Sequence, residues 1–278
     1  MGGVTPDRPD PDAAAPPPVD PALVDFAVEL VRDAGKATLP WFGASDLVVD
    51  RKSDGTPVTA ADRAAERLVR ERLAERFPDD GVLGEEEPES PGTSGRRWIV
   101  DPIDGTKGFT RGVPLYSTLL ALDDEHGPAV GVIGLPALDQ VVYAGRGRGC
   151  WCDGRPARVS DTARIGSAYL MTSEFSHWPE PALLAVKRAG CRLRTWGDGY
   201  GYALVATGRA DIMVDPAVEV YDVAAMPVIL AEAGGRFSDL AGRPGAGGGS
   251  GIASNGRLHA DALRLVGVSA GAGSDPPG

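Results

Sequence analysis

The chain has 278 residues, 42% of them hydrophobic and 24% charged, and 28 basic against 39 acidic residues leave a net charge of −11. That is enough apolar material for one large domain or two smaller ones, with no basic cluster for a nucleic-acid surface and no run of about 18 apolar residues for a membrane span. Three cysteines cannot close a disulfide set, and none of the three histidines lies near one, so a zinc site is not expected and a reducing cytoplasm is the expected compartment.

Residues 1–20 are rich in Pro and Asp and lack an apolar stretch, so they read as a disordered leader rather than a secretory signal. Pro6 stands where a myristoylation start would need Ser or Thr. Asp20 and Pro21 form an N-cap and N1 pair, and Leu23, Phe26, Ala27, Leu30 and Val31 then recur at helical spacing. LVVDRKSDGTPVT reads as a strand or hairpin turning at Asp54-Gly55. Thr59 caps a second helix with Ala65, Leu68, Val69 and Leu73 on one face, ending before Pro78. A short apolar GVL leads into GEEEPES, SPGTSGRR is a loop, and RWIV is a buried strand. LYSTLLAL, AVGVIGL and QVVYAG follow as an antiparallel series of strands, and WCDGRPARVS adds a turn and a short strand. The Gly-rich GRGRGCW lacks the surroundings of a dinucleotide loop, so Arg146 and Arg148 read as a hairpin rim.

After about residue 160 strands alternate with helices: AYLMTS, a helix near 179–189, CRLRTW, a Gly-Tyr-Ala-rich helix, ADIMV, a helix at about 221–233, GRFSD, SGIAS and a last helix. This alternation predicts a sheet covered by helices on both faces. The fold class is therefore α/β, with a leader at 1–20, an N-terminal α+β lobe at 21–157, a C-terminal α/β lobe at 158–268, a disordered tail at 269–278, and a site between the lobes.

The chemistry gathers where apolar elements end. RWIV runs into Asp-Pro-Ile-Asp-Gly-Thr, which places Asp101 and Asp104 on one tight turn; Gly105 lets a ligand approach the backbone and Thr106 offers a hydroxyl. Glu85 and Glu86 follow another short apolar run, Asp62 is the third residue of the helix capped by Thr59, and Asp215, Glu219 and Asp222 surround the start of a late helix. Each alone reads equally as a solvated turn acid or a helix-start acid complementing the macrodipole. Four such places, each at the end of an apolar element, make a shared site for a hard dication the more economical account. A phosphate ester is the matching substrate, since a chain of net charge −11 would repel it without metal.

The combination of GEEE, WIVDPIDGTKGF and YDVAAMPVILAEAGG, spread through residues 22–268, resembles the inositol monophosphatase superfamily of Mg2+-dependent, lithium-sensitive phosphatases. The resemblance implies a layered α/β/α/β/α sandwich, a small phosphate-ester substrate, two to three Mg2+ ions per site and a homodimer. It implies Glu85, Asp101 and the Ile103 carbonyl as ligands of a first ion, and Asp101, Asp104 and Asp222 as ligands of a second. It further implies that Thr106, paired with Asp62 and with Glu85 in reach, polarises the attacking water, that the amides of Gly105 and Thr106 hold phosphate beside Asp104 and Asp222, and that Lys52 and Glu86 support the metal ligands. Within the superfamily, Gly-Thr-Lys at 105–107 and Arg111 resemble both the histidinol-phosphate and the phosphoadenosine-phosphate phosphatases, whereas the segment TWGDGYGYALVATGRADIMVDP resembles most the bacterial histidinol-phosphatase branch, where an acidic residue, here Asp198, stands in the substrate wall to meet an ammonium. Histidinol phosphate is thus the expected substrate. Inositol phosphate, phosphoadenosine phosphate or an aminated sugar phosphate is the alternative, and a non-catalytic phosphate-binding regulator is the reading from another class. Pro227 is expected to kink or shift the helix that carries Asp222.

Overall fold

The computed structural model describes residues 15–52 and 55–267. The expected tail, the first 14 residues of the expected leader and Asp54 of the expected turn lie outside the described residues. Asp20 accepts a hydrogen bond from the Ala22 N–H at 3.0 Å and opens α1 (Pro21–Thr38), with Pro21 in the first turn. An antiparallel pair, β1 (Val49–Arg51) and β2 (Pro57–Thr59), leads into α2 (Ala60–Arg76), whose capping box joins Thr59 and Asp62. There follow β3 (Gly81–Gly84), β4 (Arg97–Asp104), a one-turn α3 (Thr106–Phe109), and the antiparallel run β5 (Ser117–Asp124), β6 (Gly127–Leu135), β7 (Gln140–Gly145), β8 (Gly149–Cys152) and β9 (Arg155–Pro156). Strands β3 to β9 make one seven-stranded sheet in sequence order, parallel only at β3–β4.

The second half supplies β10 (Tyr169–Met171), α4 (Glu180–Arg188), β11 (Arg192–Arg194), α5 (Asp198–Ala206), β12 (Ile212–Asp215), α6 (Val220–Val223), α7 (Met226–Glu232), β13 (Arg236–Ser238), β14 (Gly251–Ser254) and α8 (His259–Val266). Its five strands lie in the order β11-β10-β12-β14-β13. The single helix expected at 221–233 is two helices. Pro227 cannot donate the backbone bond a continuous helix would need, and it sits instead in the first turn of α7.

Strand alternation sorts the apolar residues into layers. Trp98, Val100, Leu120, Leu122 and Val132 face α1 and α2, against Leu30, Val31, Val69 and Leu73. Ile99, Leu119, Ala121 and Ile133 face the other way, onto α5 and α7, which also cover Met171, Met213 and Ala253 of the second sheet. The far face of that sheet, Leu170, Ile212, Val214 and Ile252, is covered by α4 and α8. The order is helix, sheet, helix, sheet, helix, the five-layer sandwich that the resemblance implied. Among the described residues no helix is long and apolar enough to cross a membrane.

Candidate active site

The cleft forms where β4 stops being regular. Its ladder with β5 slips between Asp101 and Asp104, so Pro102 and Ile103 bulge and both carboxylates come to the same end of the sheet. Asp101 accepts from the Ile103 N–H at 3.1 Å. One oxygen of Asp104 accepts from Ser117 Oγ at 2.6 Å and from the N–H of Gly199, the second residue of α5. Gly105 then takes the left-handed conformation, φ +85°, and a Cβ there would lie 2.7 Å from Asp198 Oδ2, so glycine is required twice over. Thr106 starts α3 and donates its hydroxyl to the Ile103 carbonyl at 2.9 Å.

Asp222 arrives from the opposite half, as the third residue of the four-residue α6, and closes a capping box by accepting from the Glu219 N–H at 2.8 Å. Oxygens of Asp101, Asp104 and Asp222 all lie within 4.8 Å of one another. Asp101 is 1% exposed and Asp104 8%. Burial, with the neighbouring carboxylates adding to it, holds the pKa of Asp101 and Asp104 well above the ordinary range and pushes Asp222 to about 7. Glu85 lines the same cleft as Asp104 and Asp222, and its charge adds to the repulsion on Asp101 and Asp222.

Glu85 and Glu86 share one cation. Lys52 Nζ lies 2.6 Å from Glu85 and 2.7 Å from Glu86. Burial opposes the ammonium, but the two carboxylates outweigh it and raise the Lys52 pKa. Burial, with the charge of Glu85 adding to it, outweighs the Lys52 bond and pushes Glu86 up to about 7. Asp62 is fully buried. Its Oδ2 accepts from the Thr59 N–H at 2.8 Å and the Thr59 hydroxyl at 2.6 Å, while its Oδ1 has no hydrogen-bond partner among the described residues. The pairing of Thr106 with Asp62 that the resemblance implied is therefore not made here: the Thr106 hydroxyl donates to the Ile103 carbonyl.

The cleft has a volume of about 1310 Å³ and is lined by Glu85, Asp104, Gly105, Thr106, Asp198 and Asp222. Asp101 and Asp62, both buried, are not part of this lining. Asp198 takes φ +53°, a conformation that Asp tolerates better than most residues; its N–H donates to Ser173 Oγ at 2.8 Å, and burial raises its pKa against the pull of Lys107. Asp215 borders the same wall, accepting from the Ser173 N–H and the Tyr202 hydroxyl, each at 3.0 Å, with burial lifting its pKa to about 6. At the mouth Glu174 bridges Lys107 at 2.8 Å and His177 at 3.1 Å.

The acids read from sequence thus come from six places in the chain: α2, the turn after β3, β4, α5, β12 and α6. The residues that hold them were not read: Ser117, Gly199, Ser173 and Tyr202 carry no local signal, since each acquires its role through strand register or helix packing. The donor set is hard oxygen throughout, crowded and short of protein donors, which suits Mg2+ and no soft metal.

Residues 21–268 match the family model described as the inositol monophosphatase family. The chain is 47% identical over 247 residues to a histidinol-phosphatase of Mycobacterium tuberculosis, covering 86% of this chain and 95% of that one. It is 43% identical over 235 residues to a histidinol-phosphatase of Chlorobaculum parvum, covering 83% and 91%. Among solved structures, the Thermotoga maritima IMPase superposes with a TM-score of 0.81 at 30% identity, over 88% of this chain and 96% of that chain.

Proposed function

The chain belongs to the inositol monophosphatase family and is a phosphoric monoester hydrolase, and we propose that its substrate is histidinol phosphate. The observation that carries this reading is Asp198. It puts a carboxylate against Gly105, at the edge of the phosphate turn, where a leaving group bearing an ammonium would lie and where a second phosphate would be repelled. The likeness to two histidinol-phosphatases supports the same choice.

In this reading Glu85, Asp101, Asp104, Asp222 and the Ile103 carbonyl would hold two to three Mg2+ ions. Bound there, Mg2+ would cancel phosphate charge and make water more acidic. The amides of Gly105 and Thr106, at the opening turn of α3, face the phosphate. Asp62, with one buried oxygen unpartnered, accepts a proton or hydrogen bond from the attacking water. Thr106, on reorienting from Ile103, and Glu85 complete the water's placement. Lys52 balances the charge of Glu85 and of the neighbouring Glu86, which shares the same ammonium. The lobes 21–157 and 158–268, a cytoplasmic location and a homodimer belong to the same proposal.

The test is phosphate release from histidinol phosphate, inositol 1-phosphate and phosphoadenosine phosphate, each with Mg2+ and with chelator. Histidinol phosphate is expected to give the highest kcat/KM, by at least tenfold, and only with Mg2+. A preference for either other ester would overturn the substrate assignment, and Mg2+-independent release would overturn the mechanism.

A further inference from the structure

Beyond the cleft lies a carboxylate with no role in the reading above. Glu66 is 0% exposed, in the middle of α2, one turn after Asp62 and on the same inward face. Its Oε2 accepts from the Glu86 N–H at 2.7 Å, and its Oε1 accepts from the Glu87 N–H at 3.1 Å and from Arg70 Nε at 2.8 Å. Arg70 completes the grip, donating to the Glu87 carbonyl at 3.0 Å and to Ser90 Oγ at 3.1 Å. Gly84 must be glycine for this packing, because any Cβ would overlap the Glu66 carboxylate.

The segment gripped in this way is the turn that presents Glu85. It carries three consecutive glutamates, forms no helix or strand, and is met on its cleft side by Lys52. Left alone it would relax away from the acids of β4 and α6. An acceptor pair fixed on a helix, reading two successive N–H groups, sets the turn's conformation without touching the ligand. Burying a carboxylate this completely is costly unless charged or backbone donors surround it, and here they do. A hydrophobic residue could fill the same volume but could not bind two adjacent amides.

We propose that Glu66, with Arg70, is the positioning residue for Glu85: it holds the 85–87 turn in the shape that lets Glu85 join Asp101, Asp104 and Asp222 around the metal. The proposal rests on the metal-ligand reading of Glu85. Residues that orient ligands from behind usually change metal affinity by 10- to 100-fold when altered.

The test measures Mg2+ affinity directly, by calorimetry or by Mn2+ competition followed by electron paramagnetic resonance, on the full chain. Glu66→Gln keeps the volume but sets an amide donor against a backbone donor. It is expected to weaken Mg2+ binding about tenfold, with turnover largely recovered at saturating Mg2+. Arg70→Lys, which keeps the charge and loses the contact to the Glu87 carbonyl, is expected to give a smaller shift in the same direction and guards against a Glu66→Gln protein that fails to fold. Val186→Ala, in the distant core under α4, supplies a destabilised control with unchanged affinity. Wild-type Mg2+ affinity in folded Glu66→Gln would overturn the proposal. Wild-type affinity in Glu85→Gln would instead overturn the ligand reading beneath it, so the two failures are distinguishable.

Discussion

Asp239 and Asp101 are both 1% exposed, yet the protein treats their charges in opposite ways. Asp239 accepts from the N–H groups of Ala241 at 2.9 Å and Arg243 at 2.8 Å and from Arg243 Nε at 2.6 Å; burial works against its charge, but these donors prevail and its pKa is lowered. Asp80 is likewise filled, by Ser94 Oγ, Arg96 Nε and Trp98 Nε1 at 2.7, 3.0 and 2.9 Å. Asp101 has the Ile103 N–H and otherwise faces Glu85, Asp104 and Asp222. Burial is common to both regions; the supply of donors is not. A buried carboxylate surrounded by protein donors is a structural brace, whereas several left facing one another are arranged for a cation brought from outside.

The sharpest way to break that comparison is to make the same substitution in each region. Asp104→Asn should cut phosphate release to below about one-thousandth of wild type. It should leave the circular dichroism spectrum unchanged and the metal-free melting temperature no lower, because the amide oxygen still accepts from Ser117 and Gly199 while one repelling charge is gone. Asp80→Asn should do the reverse: it removes the charge paired with Arg96, lowers stability by about 3 kcal/mol in a urea titration, and leaves kcat close to wild type. If both variants behave alike in either assay, the distinction between brace and cation site fails.

The same contrast explains what could be read in advance. Glu85, Asp101 and Asp104 were legible because they follow short apolar runs, Asp222 because it opens an apolar helix, and Asp62 because it is the third residue of the helix that Thr59 caps. Leu30, Val69 and Leu73 were legible as core through their period. The supports were not. Ser117 meets Asp104 only through the register of β4 on β5, and Gly199 only because α5 packs under that strand end. Glu66 lies on the predictable face of α2, but nothing local says that the 85–87 turn will be laid across it. Pro227 did announce a disturbance, and its effect is a break that leaves Asp222 on the one-turn α6. Side chains that face a ligand sit at element ends, where sequence grammar is strong; those that hold them depend on tertiary neighbours.

Titration sharpens the comparison next. Asp215 is raised to about 6, and Glu86 and Asp222 to about 7, all by burial first. A carboxyl whose folded pKa exceeds its unfolded value binds more protons when folded, so its stabilising contribution is present at low pH and lost as pH rises through the folded value. The metal-free protein should therefore lose stability between about pH 4 and 7, by about 2 kcal/mol after allowance for relaxation and solvent. Mg2+ binds the ionised form, so the melting-temperature gain on adding it should be larger at pH 8 than at pH 5.5. Calorimetric scans in chelator and in Mg2+ check both signs. A metal-free melting temperature that holds level or climbs across this window would show that the cluster is not strained by its own charge.

The smallest effect is expected at the substrate wall, where the two kinds of carboxylate meet in one residue. Asp198 resembles the brace in that the chain around it is pinned, its N–H by Ser173 and the next N–H by Asp104. It resembles the cation site in that its own carboxylate faces the cleft beside Gly105, with burial raising its pKa. Removing the side chain while leaving the backbone bonds separates these two characters. Asp198→Ala should raise KM for histidinol phosphate by about tenfold, the worth of one charge-assisted hydrogen bond, and change KM for inositol 1-phosphate by less than about twofold. A left-handed backbone suits Ala less well than Asp, at about 1 kcal/mol, so Asp198→Asn serves as the companion: it keeps the backbone preference and loses only the charge. Steady-state kinetics on both esters decide the matter. Equal changes in KM for the two esters would mean that Asp198 shapes the wall without reading the leaving group's charge.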